Sequence, residues 1–159
     1  HPHGDIYAKI SPCVHGHAPV VPHIVRPRDP LGPNLRAELG IPADATVFGR
    51  HGGFDTFDIP FVLRAVIEVA EQRPNSIYFV LVNTKPFGTP RRNIIHLDRT
   101  SDAEWILRFI RTCDAMLHAR SGGETFGLAC AEFSAANRPV LTSAEHNDYG
   151  TGCMHLDTL

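Results

Sequence analysis

Short apolar runs alternate with longer amphipathic segments along most of the chain. The clearest run, Ile77–Val82, has six consecutive apolar residues and predicts a strand that is buried on both faces. Four other runs have the length of a strand: Thr46–Arg50, Ile94–Leu97, Ala115–Ala119 and Val140–Thr142. The pattern therefore predicts five strands, with most of them followed by enough residues to form a helix.

A first long helix is predicted after the Thr46–Arg50 strand. Asp58 is suited to cap it, and Pro60 is tolerated in a first helical turn. Its apolar positions then recur at helical spacing, at Val62, Ala65, Val66, Val69 and Ala70. A shorter helix is predicted over Asn34–Leu39, where Gly40 would end it.

Two further helices are predicted in the second half of the chain. Ser101 and Glu104 have the spacing of a capping box, and the helix that follows is expected to end near Thr112. The last helix is expected to begin at about Thr125 and to stop before Pro139.

The order of the main elements is β-α-β-β-α-β-α-β, which is typical of an α/β protein with a Rossmann-like, doubly wound parallel sheet. In such a sheet, ligands bind beyond the carboxyl ends of the strands. Loops that begin at Arg50, Asn83, Leu97 and Arg120 are all predicted at that edge.

Bulk composition narrows the class of protein. The chain has 159 residues, 43% hydrophobic and 20% charged, which suits one domain with a sizeable core. A net charge of −2 gives no electrostatic reason to expect nucleic acid as a partner. No apolar run approaches the roughly 20 residues of a transmembrane helix, and the start of the chain lacks a signal-peptide pattern.

Cysteine usage suggests a reducing compartment. The four cysteines, Cys13, Cys113, Cys130 and Cys153, are far apart and form no C-x-x-C pair. We therefore expect free thiols and a cytoplasmic location.

The first 33 residues differ from the rest of the chain. Five prolines lie between Val14 and Pro33, which predicts a stiff, extended connector. The histidines at positions 1, 3, 15 and 17 have no carboxylate or cysteine cluster near them in sequence, and we expect no functional metal.

The candidate chemistry lies in a loop and the helix after it. Gly122 and Gly123 allow a sharp turn, and a helix that starts after such a turn offers unpaired N–H groups to a phosphate. Glu124 lies in the turn and Glu132 eight residues later, about 12 Å along an α-helix. Because side chains on a helix lean toward its N-terminus, both carboxylates are expected to face one ligand.

This stretch, Gly-Glu-Thr-Phe-Gly-Leu-Ala-Cys-Ala-Glu-Phe-Ser-Ala-Ala-Asn-Arg-Pro-Val-Leu-Thr, resembles the signature of retaining glycosyltransferases with the GT-B fold, the glycogen-synthase-like and sucrose-synthase-like enzymes. The resemblance implies that Glu124 is catalytic and contacts the donor sugar, while Glu132 holds the ribose hydroxyls. It also implies that the backbone from Thr125 to Leu128 serves the diphosphate and the sugar. Thr125 and Asn137 replace glycines that are common in the family.

The same resemblance implies a cation at the end of the first strand, and Arg50 occupies that place. A lysine usually follows several residues later, but here the chain reads Asp55-Thr-Phe-Asp58. Phosphate binding is therefore expected to depend on Arg50, the two glycines after it and the helix start. The full predicted donor-binding set is Arg50, Gly52, Gly53, Gly123, Thr125, Phe126, Gly127, Leu128 and Glu132.

The resemblance covers roughly residues 34–142 and implies the C-terminal half of a GT-B enzyme. Residues 1–33 would then end an N-terminal domain and link it to a donor-binding domain, residues 34–159. The implied reaction transfers a sugar, with retention, from a UDP-, GDP- or ADP-sugar to a hydroxyl of a glycan, lipid or protein held by the other domain. No cofactor or metal is expected, and this half is expected to be inactive alone.

Two alternatives of other classes remain open. A nucleotide-sugar 2-epimerase shares the fold and would turn over the donor without an acceptor. A non-catalytic nucleotide-binding module would bind without turnover.

Overall fold

The computed structural model describes residues 7–142, and its centre is a sheet of five parallel strands in the order β3-β2-β1-β4-β5. The elements along the chain are β1 (Thr46–His51), α1 (Pro60–Gln72), β2 (Ile77–Val82), β3 (Ile94–Leu97), α2 (Ala103–Thr112), β4 (Ala115–Leu117), α3 (Leu128–Ala135) and β5 (Val140–Leu141). This order and the parallel pairing confirm the predicted doubly wound α/β class.

Helices cover both faces of the sheet. On one face, Phe109 of α2 and Phe133 of α3 are fully buried against Val80 of β2. On the other face, Val66 of α1 is buried with Leu81 of β2. Because β2 is apolar on both sides, it requires this double cover, as its continuous apolar run predicted.

Gly49 in β1 permits a close approach between the sheet and the end of α2. A Cβ atom at this position would lie 2.2 Å from Cys113 Sγ and 3.1 Å from Phe109 Cζ. Both neighbours are fully buried, so neither has open space into which to move. The absence of a side chain in the middle of β1 therefore sets how deeply the end of α2 packs.

Two predicted helix caps were wrong. The N-cap of α1 is Ile59, which makes no side-chain capping bond, whereas Pro60 does occupy the first turn as predicted. Asp58 is engaged by another loop instead. In α2 the cap is Asp102, whose carboxylate accepts from the backbone N–H groups of Glu104 and Trp105, one residue beyond the predicted Ser101.

One predicted helix is absent, and another begins later than predicted. Residues 35–40 form hydrogen-bonded turns that end in Gly40 at φ +65°, and they do not form the expected helix. Helix α3 begins at Leu128, three residues later than expected, because Gly127 has left-handed φ and ψ angles that end the loop. At its far end, Asn137 has φ +54°, the conformation that the sequence allowed for an Asn in place of Gly.

The proline-rich segment lies against α2 and α3. The backbone N–H of Arg28 donates to Ala135 O at 2.7 Å, and Arg111 Nε donates to Asp29 O at 3.1 Å. Arg138 reaches Pro30 O at 3.2 Å. These contacts place residues 28–30 beside the sheet domain.

Among the cysteines, Cys13, Cys113 and Cys130 are free thiols, as predicted, and Cys153 lies outside the described residues. Within residues 7–142, each helix is too short or too polar to cross a membrane.

Candidate functional site

A cleft of about 160 Å³ opens at the carboxyl edge of the sheet, where the ends of β1 and β4 meet the start of α3. This is the edge at which the sequence predicted a ligand. The residues that line it are Arg50, His51, Gly52, Gly53, Thr56, Met116, His118, Ala119, Arg120, Glu124, Leu128 and Ala129. We call it the β1–β4 cleft.

Glu124 is the carboxylate of the β1–β4 cleft. Its Oε2 accepts a hydrogen bond from Arg120 Nη1 at 2.9 Å, and its Oε1 lies 3.3 Å from His118 Nε2. Burial opposes ionisation, but the bond to His118 and the charge of Arg120 outweigh it and hold the pKa of Glu124 below its usual range. The carboxylate is therefore ionised at neutral pH.

The imidazole of His118 connects two loops. Its Nδ1 lies 3.1 Å from Thr142 Oγ1, and its Nε2 faces Glu124. Although histidines and carboxylates meet here, the described part of the chain brings no three His, Cys, Asp or Glu side chains together as a metal site would require.

A second, larger cleft of about 360 Å³ lies between the proline-rich segment and helices α2 and α3. Its lining residues are Ile24, Val25, Arg26, Arg28, Ala103, Ile106, Leu107, Ile110, Leu128 and Glu132. We call it the α2–α3 cleft. Leu128 lines both clefts, so they adjoin at the first turn of α3.

Glu132 lies where the two clefts come together. Its side chain is one-third exposed, and its Oε2 is 3.2 Å from His51 Nε2. That distance suits an ion pair, but the nitrogen lacks a hydrogen-bond partner, so the two groups face each other out of line. The residues beside Glu132 are mostly buried: Cys130, Ala131 and Phe133 all pack into the core. Glu132 is thus a polar residue of α3 that lines the α2–α3 cleft.

The start of α3 is an anion-binding element in form. Gly127 is its N-cap, and Gly127 O accepts from Ala131 N at 2.9 Å, which closes the first turn. The N–H groups of residues 128–130 consequently have no acceptor within the helix. They form the positive end of the helix dipole, beside the point where the clefts adjoin.

Two predicted ligand residues face the N-terminal segment. Thr125 O accepts from the Cys13 thiol at 3.3 Å, and the Phe126 ring contacts the His23 ring edge-on, with 5.2 Å between centroids. Neither residue lines the two clefts. Their predicted role in binding the donor stays a prediction.

Gly123 and Gly127 of the motif have positive φ angles that shape the loop before α3. Gly123 has φ +62°, and its N–H donates to Arg120 O at 3.2 Å, which forms the sharp turn that the sequence predicted. Gly127 has φ +77° and ends the loop. Both glycines shape the cleft wall without lining it.

Arg50 lies at the base of the β1–β4 cleft and is only 4% exposed. Its Nη1 donates to Asn83 O at 3.2 Å and to Thr84 Oγ1 at 2.5 Å. Its Nη2 donates to Gly53 O at 2.8 Å and to Thr56 Oγ1 at 2.6 Å. Burial lowers the pKa of Arg50 to about 10, partly offset by the charge of Glu124, so it remains a cation at neutral pH.

The sequence interpretation missed three functional candidates: His51, His118 and Arg120. His51 ends β1, His118 directly follows β4, and Arg120 lies three residues beyond the end of β4, all at the carboxyl edge of the sheet, where ligands bind in such folds. That position is the signal that would have found them, since the β1 and β4 ends are neighbours in the sheet. The structure brings all three to the predicted Glu124 and Glu132.

The fold is similar to that of HepE from Anabaena, whose crystal structure was solved in complex with UDP and glucose. The two structures superpose with a TM-score of 0.50 and 22% sequence identity. The similarity covers 67% of this chain and 31% of HepE, so the chain spans less than a third of that protein. At this identity the likeness shows the α/β fold alone. No protein-family model matches the chain, and no curated protein sequence matches it.

Proposed function

We propose that this chain is the donor-binding domain of a retaining glycosyltransferase, the C-terminal half of a GT-B enzyme. The observation that carries the proposal is the placement of the two motif glutamates. Glu124 lines the β1–β4 cleft, Glu132 lines the α2–α3 cleft, and the clefts adjoin at Leu128. A nucleoside-diphosphate sugar has two bulky ends joined by a charged diphosphate, which matches two cavities joined at a helix start.

In the proposed complex, the nucleoside occupies the larger α2–α3 cleft, where Glu132 accepts hydrogen bonds from the ribose hydroxyls. The diphosphate lies at the first turn of α3, where unpaired N–H groups and the helix dipole favour an anion. The sugar then lies in the β1–β4 cleft beside Glu124. The donor is a UDP-, GDP- or ADP-sugar.

The proposed reaction breaks the bond between the anomeric carbon and the diphosphate oxygen. It forms a bond from the anomeric carbon to the oxygen of an acceptor hydroxyl on the same face of the sugar, and the proton of that hydroxyl passes to the departing diphosphate. Negative charge collects on the departing diphosphate, where helix amides and a cation stabilise it without a metal ion. Positive charge collects on the sugar ring, beside the ionised carboxylate of Glu124. The acceptor that carries this hydroxyl is held by a second domain, and residues 1–33 are proposed to lead from that domain.

The fold of HepE supports this proposal, because that protein was crystallised with UDP and glucose. Since this chain matches less than a third of HepE, transfer is expected to need further protein that holds the acceptor and excludes water. Holding both reactants in register can contribute about 7–11 kcal/mol to lowering a barrier. The domain alone should therefore bind a donor and transfer no sugar. A cytoplasmic site of action remains part of the proposal.

Calorimetric titration of the full chain with UDP-, GDP- and ADP-glucose, and with the free diphosphates, tests the function. Glu132→Gln should weaken binding of sugar donors and free diphosphates alike, by about 1.5–3 kcal/mol, because the ribose is common to both. Glu124→Gln should weaken only the sugar donors. Glu68→Gln, on the exposed side of α1, is the matched control.

Three outcomes would redirect the proposal. If both glutamate variants lost the same affinity for every ligand, Glu124 would not be the residue that contacts the sugar. Donor turnover without any acceptor would indicate an epimerase. Donor binding without turnover by the complete parent protein would indicate a non-catalytic module.

A further inference from the structure

Two guanidinium groups line the β1–β4 cleft, and they differ in how many of their N–H donors are free to bind a ligand. Arg50 is 4% exposed, and each of its terminal nitrogens already donates to two protein oxygens. Arg120 is 41% exposed in its side chain, and within residues 7–142 its guanidinium has one partner, Glu124. Since a guanidinium carries five N–H donors, most of those on Arg120 are available.

The other cationic candidates of this cleft each lie beside one of the two motif glutamates. His118 Nε2 lies 3.3 Å from Glu124, and His51 Nε2 lies 3.2 Å from Glu132. Neither imidazole combines exposure with a permanent charge, whereas Arg120 has both. The lysine that the resemblance implies after Arg50 is absent from the Asp55–Asp58 stretch.

The backbone that carries Arg120 is held in place. Arg120 O accepts from Gly123 N at 3.2 Å, which closes the turn before Glu124. The next residue, Ser121, donates through both its N–H and its hydroxyl to the Asp58 carboxylate, at 2.7 and 2.6 Å. These bonds fix the backbone at Arg120 and Ser121, so that only the Arg120 side chain has to be ordered when an anion binds.

From these contacts we infer that Arg120 is the residue that binds the phosphate groups of the donor, and that Arg50 braces the loop from Gly52 to Thr56. This inference rests on the proposed function, because it concerns the diphosphate of the same ligand. In the unbound chain the Arg120 charge is balanced by Glu124. When a diphosphate binds, the remaining Arg120 donors turn to its oxygens, while the Glu124 carboxylate stays beside the sugar.

The test compares each nucleoside diphosphate with its own nucleoside: UDP with uridine, GDP with guanosine and ADP with adenosine. Calorimetry on the full chain gives the preference for the diphosphate as a ratio of dissociation constants. Arg120→Gln should reduce that ratio about ten- to a hundredfold and leave nucleoside affinity unchanged. Arg120→Lys should restore part of it, because a point charge replaces the fork. Arg64→Gln, exposed on α1, is the control.

Arg50→Lys separates bracing from binding. It should lower the midpoint of thermal unfolding, because the bonds to Thr56 and Thr84 are lost, and keep the diphosphate preference of the folded protein. The inference is overturned if Arg120→Gln keeps the wild-type ratio, or if Arg50→Lys loses as much of it as Arg120→Gln does. If the wild-type chain binds none of the three diphosphates, the proposed function fails and this inference is overturned with it.

Discussion

The Asp58 carboxylate accepts two hydrogen bonds from Ser121, which lies 63 residues later in the chain. In addition, the backbone N–H of Asp58 donates to Ala119 O at 3.0 Å. Asp58 thus joins the loop before α1 to the loop after β4. The bonds from Ser121 also hold the pKa of Asp58 below its usual value, although burial acts in the opposite direction. The loop that carries Arg120 and Glu124 is fixed by this pair.

We expect Asp58→Ala to loosen that loop without unfolding the domain. In this variant the N–H and the hydroxyl of Ser121 lose the two carboxylate oxygens that accept their hydrogen bonds. Exchange of the Ser121 amide hydrogen should therefore accelerate about five- to tenfold. Because Asp58 is exposed, the free energy of unfolding should change by less than about 1 kcal/mol. Hydrogen exchange followed by NMR measures the first quantity, and urea denaturation measures the second.

Asp44→Ala removes an exposed carboxylate from a different loop and serves as the control for that experiment. Unchanged exchange of the Ser121 amide in Asp58→Ala would contradict the bracing role. A large loss of global stability would instead show that Asp58 supports the whole sheet edge.

Glu124 should make folding stability depend on pH in the acid range. Its pKa in the folded chain lies below the unfolded value of about 4.3. A carboxyl with a depressed folded-state pKa stabilises the fold above the unfolded value, and this contribution is lost as pH falls through the folded value. The stability advantage of wild type over Glu124→Gln should therefore be present at pH 5 and shrink as pH falls below about 4.3.

Urea denaturation of both proteins at pH 7, 5, 4 and 3 measures that difference. Glu68→Gln, whose carboxylate is exposed on α1, should show a difference that barely changes over the same range. If the difference for Glu124→Gln were equally flat, the contacts of Glu124 with His118 and Arg120 would not persist in solution.

The strands were predictable because a parallel sheet with helices on both faces requires continuous apolar runs. The Ile77–Val82 run became β2 without change, and Ile94–Leu97 became β3. The order of elements followed from the lengths between the runs. Boundaries that depend on distant partners were not predictable in this way. Asp58 is a good capping residue by type, but Ser121 competes for its carboxylate.

The candidate site shows the same division. The sequence predicted Glu124 and Glu132 as site residues because their spacing and the glycines around them form one local pattern. Which N–H groups of Arg50 are free for a ligand depends on distant residues: Thr84, 34 positions away, accepts a hydrogen bond from Arg50 Nη1. A sequence pattern identifies a cation at a strand end, and only the packing around it shows whether that cation is free to bind.

Gly49 offers a test of the packing between β1 and α2. In Gly49→Ala the new methyl group would lie 2.2 Å from Cys113 Sγ, so the mutation should lower the free energy of unfolding by about 1–3 kcal/mol through overpacking. Gly122→Ala is the control, since a Cβ there meets nothing within 4 Å. Adding Cys113→Ala should rescue part of the loss, because it removes the sulfur, while the 3.1 Å approach to Phe109 remains. Urea denaturation of wild type, the two single mutants and the double mutant measures the coupling free energy between positions 49 and 113, which is expected to be about 0.5–3 kcal/mol. Strictly additive effects of the two mutations would show that α2 moves away from the sheet instead.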